Sequence, residues 1–313
     1  MRSTPMSRRA FAALLAAATV GTVTGIAPAS ASPAPASSPG RVAGEFWQNP
    51  FAQERNKAVA VRVLRGLFED GDLSIADRHI RPDYIQHNAQ APDGVQAIKD
   101  FARNISTQFP NMTYNVKRVL AQGDLVMVHS NPIFTPGGRG SAVVDIFRFQ
   151  HGMIAEHWDV VQEVPETTVS GNDMFSTVSH PRTNQPGPRR QTAYSEKVAV
   201  GYFDQLMVDK DPDAVEYLAP EYHQHNPDIA SGSAGLREQF ASFFQAFPNM
   251  IVERKRVIAD GDLVAIHAHI RLNPTDRGQA VVDIFRVRDG KVVEHWDVVQ
   301  DVPETSLNDN TMF

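Results

Sequence analysis

The chain has 313 residues, of which 42% are apolar and 21% charged, with a formal net charge of −6 and no cysteine. Those values describe a globular chain long enough for two domains, each able to bury a core of its own. They exclude the basic footprint of a nucleic-acid or anionic-membrane binder, and a fold that depends on disulfides.

The N-terminus, residues 1–31, reads as a targeting segment. Ser7-Arg8-Arg9-Ala10-Phe11 is a twin-arginine pattern, residues 11–26 are Ala-rich and mildly apolar, and Ala29-Ser30-Ala31 offers small residues for cleavage. A retained lipid anchor is the alternative, but the stretch is short and rich in Ala, Gly and Thr. The twin-arginine route exports folded proteins, so the mature chain is expected to be secreted, soluble and free of the membrane. Residues 32–49, mostly Ala, Pro, Ser and Gly, form a flexible lead-in.

A first unit is expected over 50–175. Val59, Val63 and Leu67, flanked by Ala60, Leu64 and Phe68, recur at four-residue spacing and predict a helix. A short helix follows at 74–79. After His87-Asn88 comes a third, carrying Val95, Ile98, Phe101, Ile105 and Phe109 and stopped by Pro110. Strands are expected at 112–121, 125–131, 141–149 and 153–162, punctuated by Gly123-Asp124 and His151-Gly152. Residues 176–191, with His180-Pro181 and Pro186-Gly187-Pro188, read as a linker.

The second unit, 192–313, repeats this order at an offset of 138 residues, which maps His87 onto His225, Phe109-Pro110-Asn111-Met112 onto Phe247-Pro248-Asn249-Met250 and Met174-Phe175 onto Met312-Phe313. A constant offset over so long a stretch marks a duplicated domain. Its helices are expected around Val198, Tyr202 and Leu206, at 213–218, and around Leu236, Phe240, Phe243 and Phe247. Helices followed by a meander give an α+β fold: tandem cone-shaped, barrel-like domains, each three helices on a curved antiparallel sheet with a pocket between the layers.

The longest identical stretch is Glu156-His157-Trp158-Asp159-Val160-Val161-Gln162, which returns as Glu294-His295-Trp296-Asp297-Val298-Val299-Gln300. A three-residue loop, Arg288-Asp289-Gly290, sets Asp283 opposite His295, Val281 opposite Asp297 and Ile284 opposite Glu294, with Arg286 near Glu294. A two-residue Asp-Gly turn instead puts Asp283 against Trp296. The first register is expected, because it pairs opposite charges. One face then carries Asp145, His157 and Asp159, repeated as Asp283, His295 and Asp297. His129 and His267 on the preceding strand, and His87 and His225 before the third helix, complete the candidate pocket.

Histidines and carboxylates among Phe and Val suit proton transfer, since burial raises a carboxylate pKa and a neighbouring imidazolium lowers it. Each feature also has a plainer reading. Asp145 and His157 fit a buried structural pair closing the hairpin, and His87-Asn88 fits a cap. Trp158 and Trp296 fit core or domain-interface anchors, and the Phe stripe of the third helix fits core. A metal site is the sharpest rival: His223-Gln224-His225 and His267-Ala268-His269 alternate as strand ligands do, but become Ile85-Gln86-His87 and His129-Ser130-Asn131 in the first unit, so a metal would be confined to the second. No metal or organic cofactor is expected otherwise. There is no Gly-rich phosphate loop, no Gly-x-Ser-x-Gly turn and no Cys nucleophile.

Tyr-Ile-Gln-His-Asn and Tyr-His-Gln-His-Asn, Phe-Pro-Asn, Gly-Asp-Leu-Val, Val-Val-Asp-Ile-Phe-Arg and Glu-His-Trp-Asp-Val-Val-Gln resemble the SnoaL-like branch of the nuclear-transport-factor-2-like superfamily, over both units. The resemblance implies a cone with an internal pocket, and an Asp acting as acid/base on a small carbonyl substrate, as in intramolecular aldol closure without a cofactor. Asp159 and Asp297 match that role, with His157 and His295 beside them. It also implies that the two units pack sheet against sheet as an intramolecular pseudo-dimer. Isomerases, dehydratases, hydrolases and pure binding modules share this fold, so the reaction stays open, as does a non-catalytic ligand-binding role.

Overall fold

The computed structural model describes residues 49–180 and 183–313. The expected leader, nearly all of the lead-in, and Pro181 and Arg182 of the linker lie outside the described residues.

In the first repeat α1 is Pro50–Phe68, α2 Ser74–His79, β1 Ile80–Gln86, α3 Val95–Gln108, β2 Thr113–Gln122, β3 Leu125–Ile133, β4 Ser141–Gln150 and β5 Met153–Glu163. Helix α1 starts where Pro50 supplies a preset φ and the Asn49 side chain accepts the Phe51 N–H, and it buries Val59, Ala60, Val63, Leu64 and Leu67 as its spacing predicts. The second repeat gives α4 Thr192–Phe203, β6 Leu218–Gln224, α5 Leu236–Ala246, β7 Ile251–Asp260, β8 Leu263–Arg271, β9 Gln279–Arg288 and β10 Lys291–Asp301. Its short second helix is a 3-10 turn, Pro212–Tyr217.

The sheets run β1-β5-β4-β3-β2 and β6-β10-β9-β8-β7. Both are open rather than closed barrels. The expected sheet was wholly antiparallel, but β1 joins β5, and β6 joins β10, in parallel. These short strands carry prolines and alternate only partly, so they do not stand out in sequence.

The hairpin register differs from expectation in an instructive way. The turns are two-residue, His151-Gly152 and Asp289-Gly290, with positive φ at both positions of each. A bulge at Ala155 and at Val293 then adds one residue. Asp283 therefore lies opposite Asp297, not His295, and His295 lies opposite Phe285. The two offsets together restore the parity, so the same residues share the face.

Both faces of each sheet are buried. In the first repeat Phe147, Phe149 and Ile154 turn toward the helices. Ala142, Val144, Ile146, Trp158 and Val160 turn the other way and pack on Ala280, Val282, Ile284, Trp296 and Val298 of the second repeat. The repeats thus meet sheet on sheet in one shared core. Across it Arg118 lies 3.6 Å over the Trp296 ring and Arg256 lies 3.6 Å over the Trp158 ring. Glutamine side chains cross as well: Val161 N–H donates to Gln300 Oε1 at 2.8 Å and Val299 N–H to Gln162 Oε1 at 2.9 Å.

The segments after β5 and β10 each reach the other repeat. Asn310 Nδ2 donates to the Gln86 carbonyl at 2.9 Å, and Asn172 Nδ2 to the Gln224 carbonyl at 3.1 Å. They return to bury Met174 and Met312 in the shared core, which accounts for the repeated Met-Phe.

Trp296→Ala empties the centre of this contact and is expected to lower the unfolding free energy by about 3–5 kcal/mol in urea titration. A change below about 1 kcal/mol would mean that the sheets do not depend on the indole.

Candidate functional site

Alternation along β5 sends Glu156, Trp158 and Val160 to one face and His157 and Asp159 to the other. His157 and Asp159 border an internal cavity of about 50 Å³ with Asp145, Phe147, Tyr84, Phe68 and Phe101. That volume holds water or the tip of a ligand, not a ring.

The hydrogen bonds define protonation states. Gln86 Oε1 accepts the Asn88 N–H at 2.9 Å, so it is an oxygen, and His157 Nδ1 at 2.9 Å from it must be a donor. Nε2 lies 3.0 Å from Asp145 Oδ1, while Asp145 Oδ2 accepts the Tyr114 hydroxyl at 2.8 Å. Both ring nitrogens donate, and the ring is an imidazolium paired with Asp145. Burial opposes that charge, but the Asp145 hydrogen bond and the fields of Asp159 and Asp145 outweigh it and raise the His157 pKa. The second repeat is the same: His295 Nδ1 is 2.8 Å from Gln224 Oε1, which accepts the His225 and Asn226 N–H groups, and Nε2 is 2.9 Å from Asp283 Oδ1.

Asp159 differs from Asp145. Its Oδ2 accepts the Asn88 side chain at 2.6 Å, while its Oδ1 is buried without a partner. Asp297 repeats this with Asn226 at 2.5 Å and a bare Oδ1. Burial raises both carboxyl pKa values against the pull of the neighbouring imidazolium, that of Asp297 to about 6.

The other predicted histidines lie elsewhere. His87 stacks on Trp158 at 4.8 Å and meets Glu156 at 2.8 Å, and His225 does the same with Trp296 at 5.1 Å and Glu294 at 2.8 Å. His129 and His267 accept from Arg118 at 3.0 Å and Arg256 at 3.1 Å. Burial and the adjacent guanidinium hold both neutral, His267 with a pKa of about 3. All four sit on the sheet face turned to the other repeat, so expecting them in the pocket is corrected: His129 pairs with Val144, one residue from Asp145, and therefore points oppositely.

Sequence reasoning missed Tyr84, Gln86 and Asn88, with Tyr222, Gln224 and Asn226. They alternate with His87 and His225, and period two along β1 and β6 would have separated them. Gln86 Nε2 donates to the Tyr84 oxygen at 3.0 Å, leaving the Tyr84 hydroxyl hydrogen for another acceptor; Gln224 and Tyr222 match at 3.1 Å.

The potential ligand atoms of Asp145, His157 and Asp159 lie within 4.8 Å of one another, as do those of Asp283, His295 and Asp297, a spacing that suits a divalent cation once the imidazolium gives up its proton. His223, His225, His267 and His269 enter no such group among the described residues. His269 instead holds a loop, 2.7 Å from the Arg277 carbonyl.

The chain matches the SnoaL-like polyketide cyclase family over residues 58–167 and the SnoaL-like domain family over 199–295. Among solved structures it resembles a candidate polyketide cyclase from Bacillus cereus (20% identity over 34% of this chain and 74% of that one, TM-score 0.32). It also resembles a candidate ketosteroid isomerase from Kribbella flavida (23%, 36% and 83%, TM-score 0.30) and an NTF2-like protein from Mesorhizobium loti (21%, 36% and 97%, TM-score 0.32). No curated protein matches the sequence.

Two outcomes follow from the carboxylates. A folded pKa of about 6 against an ordinary 3.8 favours the protonated fold, so stability from this group is full below pH 4 and is lost as pH rises through 6, by about 3 kcal/mol. Asp297→Asn should recover most of that at pH 8 and nothing at pH 4 in urea titrations; an equal effect at both pH values would contradict the shifted carboxyl. Asn310→Ala, by loosening the Gln86–Asn88 segment, should raise the Asp159 pKa and spare Asp297, and Asn172→Ala should do the reverse, read by carbon-13 carboxyl NMR.

Proposed function

On the premise that the chain carries two SnoaL-like domains in tandem, we propose that it is an exported acid/base enzyme acting on small, largely apolar carbonyl compounds, of the aldol-condensation or isomerase type. The observation that carries this reading is the buried Oδ1 of Asp159, left without a partner on a residue that borders the cavity beside a paired imidazolium. A structural carboxylate has its oxygens satisfied; one with a raised pKa and an open lone pair is ready to exchange a proton with something that enters.

Asp159, ionised, takes the proton alpha to the carbonyl. The C–H electron pair becomes the C=C bond, and the carbonyl π pair moves onto oxygen. His157 does not donate to that oxyanion directly, since both its N–H groups are engaged. It supplies positive charge, while the Tyr84 hydroxyl supplies the hydrogen bond. The enolate then attacks a second carbonyl, whose π pair moves onto oxygen and takes the proton back from Asp159, or is itself reprotonated by Asp159 at another carbon. Asp297, Tyr222 and His295 would act alike in the second repeat. A non-catalytic pocket is the second reading, and the narrowness of the cavity favours it.

The test is Asp159→Asn combined with Asp297→Asn, assayed on a panel of enolisable ketones and aldehydes. Turnover should fall by roughly 10²–10⁴-fold with the fold retained, and unchanged turnover sinks the assignment. Tyr84→Phe with Tyr222→Phe should cost about 10²–10³-fold in kcat. Turnover by the second site should rise with pH through about 6, because the base must be ionised. Metal analysis, with assay after chelation, addresses the carboxylate-imidazole set.

A further inference from the structure

The inner cavity admits only the reacting edge of a substrate, so the remainder needs a place. Rows of alternate residues on β4 and β5 lead to one. On β5 the face of His157 and Asp159 continues through Val161 to Glu163, and on β4 the face of Phe147 and Asp145 continues to Ser141. Val161, Glu163 and Ser141 line a cleft of about 370 Å³ between the repeats, whereas His157, Asp159 and Asp145 line the inner cavity. Asn88 borders both, and its amide holds Asp159.

We propose that this cleft binds the body of the first repeat's substrate, an uncharged ketone or aldehyde with a ring-sized apolar group, and that the second repeat builds one of its walls. The proposal rests on the acid/base reading of Asp159 for what happens at the inner end. The volume falls in the range of ligand pockets, which favour domain interfaces. The far wall is Val299, Gln300 and Asp301 of the second repeat, anchored where Gln300 accepts the Val161 N–H at 2.8 Å. The near wall is the loop between β3 and β4, which is built rather than loose. Asn131 Nδ2 donates to the Arg139 and Ser141 carbonyls at 2.9 and 3.0 Å. Gly140 has φ +68°, and a Cβ there would meet the Pro132 oxygen at 2.0 Å. Phe134, Val161 and Val299 supply apolar contact. The charged lining residues are Glu163 and Asp301, with no Lys, Arg or His among them, so a carboxylate or phosphate is repelled.

The probe is 6-propionyl-2-dimethylaminonaphthalene, an uncharged aryl ketone whose emission shifts to the blue in apolar surroundings. It should bind the full chain. Thr135→Trp on the exposed loop and Val299→Trp on the opposite repeat should each weaken it about tenfold or more, with cooperative unfolding retained at least in the loop variant. As competitors, 2-acetylnaphthalene should act at least about tenfold more strongly than 6-acetyl-2-naphthoate, a gap that Asp301→Lys narrows. No binding, binding indifferent to Thr135→Trp, or equal competition by the anion overturns the proposal. Lost turnover in Asp159→Asn with unaltered groove variants sinks the cleft alone. Binding that obeys the cleft variants without any turnover sinks the acid/base reading alone.

Discussion

Each repeat lays a guanidinium on the other repeat's indole, and much of the molecule is arranged around those two contacts. Arg118 lies over the Trp296 ring, and His225, itself bonded to Glu294, stacks on the same indole. Arg256, Trp158, His87 and Glu156 repeat the stack. A buried cation is tolerated only where its hydrogen bonds are met and an aromatic face replaces water. Arg118 meets most of that demand: its terminal nitrogens reach His129, the Phe175 and Ser176 carbonyls and Thr177, while Nε is left without a partner against the indole. The chain that leaves the first repeat is therefore tied to the interface by the same side chain that holds the second.

This arrangement links the interface to the pocket through single strands. Glu, His, Trp and Asp stand consecutively on β5 and β10, and the pleat sends them alternately to the shared core and to the cavity. A shift of one residue would exchange the two sets, placing charged cavity groups in the sheet-to-sheet core. The crossing arms add a second link, since Asn310 and Asn172 grip the backbone of the glutamines that orient His157 and His295.

The repeats are not equivalent in detail. Tyr114, which donates to Asp145, is replaced by Val252, so Asp283 has one donor fewer. Asn131 and His269 hold corresponding loops with different chemistry. Lys57 pairs across the interface with Asp260, whereas its counterpart is Ser195. The buried cluster of Asp, His, Gln, Asn and Tyr is common to both, and its surroundings have diverged.

The duplication, the helices of the first repeat, the four antiparallel strands of each sheet and the face shared by Asp145, His157 and Asp159 were legible in the sequence, because period and offset are one-dimensional properties. The parallel strands β1 and β6 were not, since their partner lies about seventy residues away (Gln86 beside His157) and pairing is a long-range choice. The exact hairpin pairing was not legible either, because a bulge leaves no fixed composition. Nor was the fate of the histidines: a His on a strand reads the same whether it points into a cavity or onto an indole. The sequence by itself determined which residues alternate. Only the tertiary structure decided which side became pocket and which became interface, because that depends on what packs against each face of the sheet.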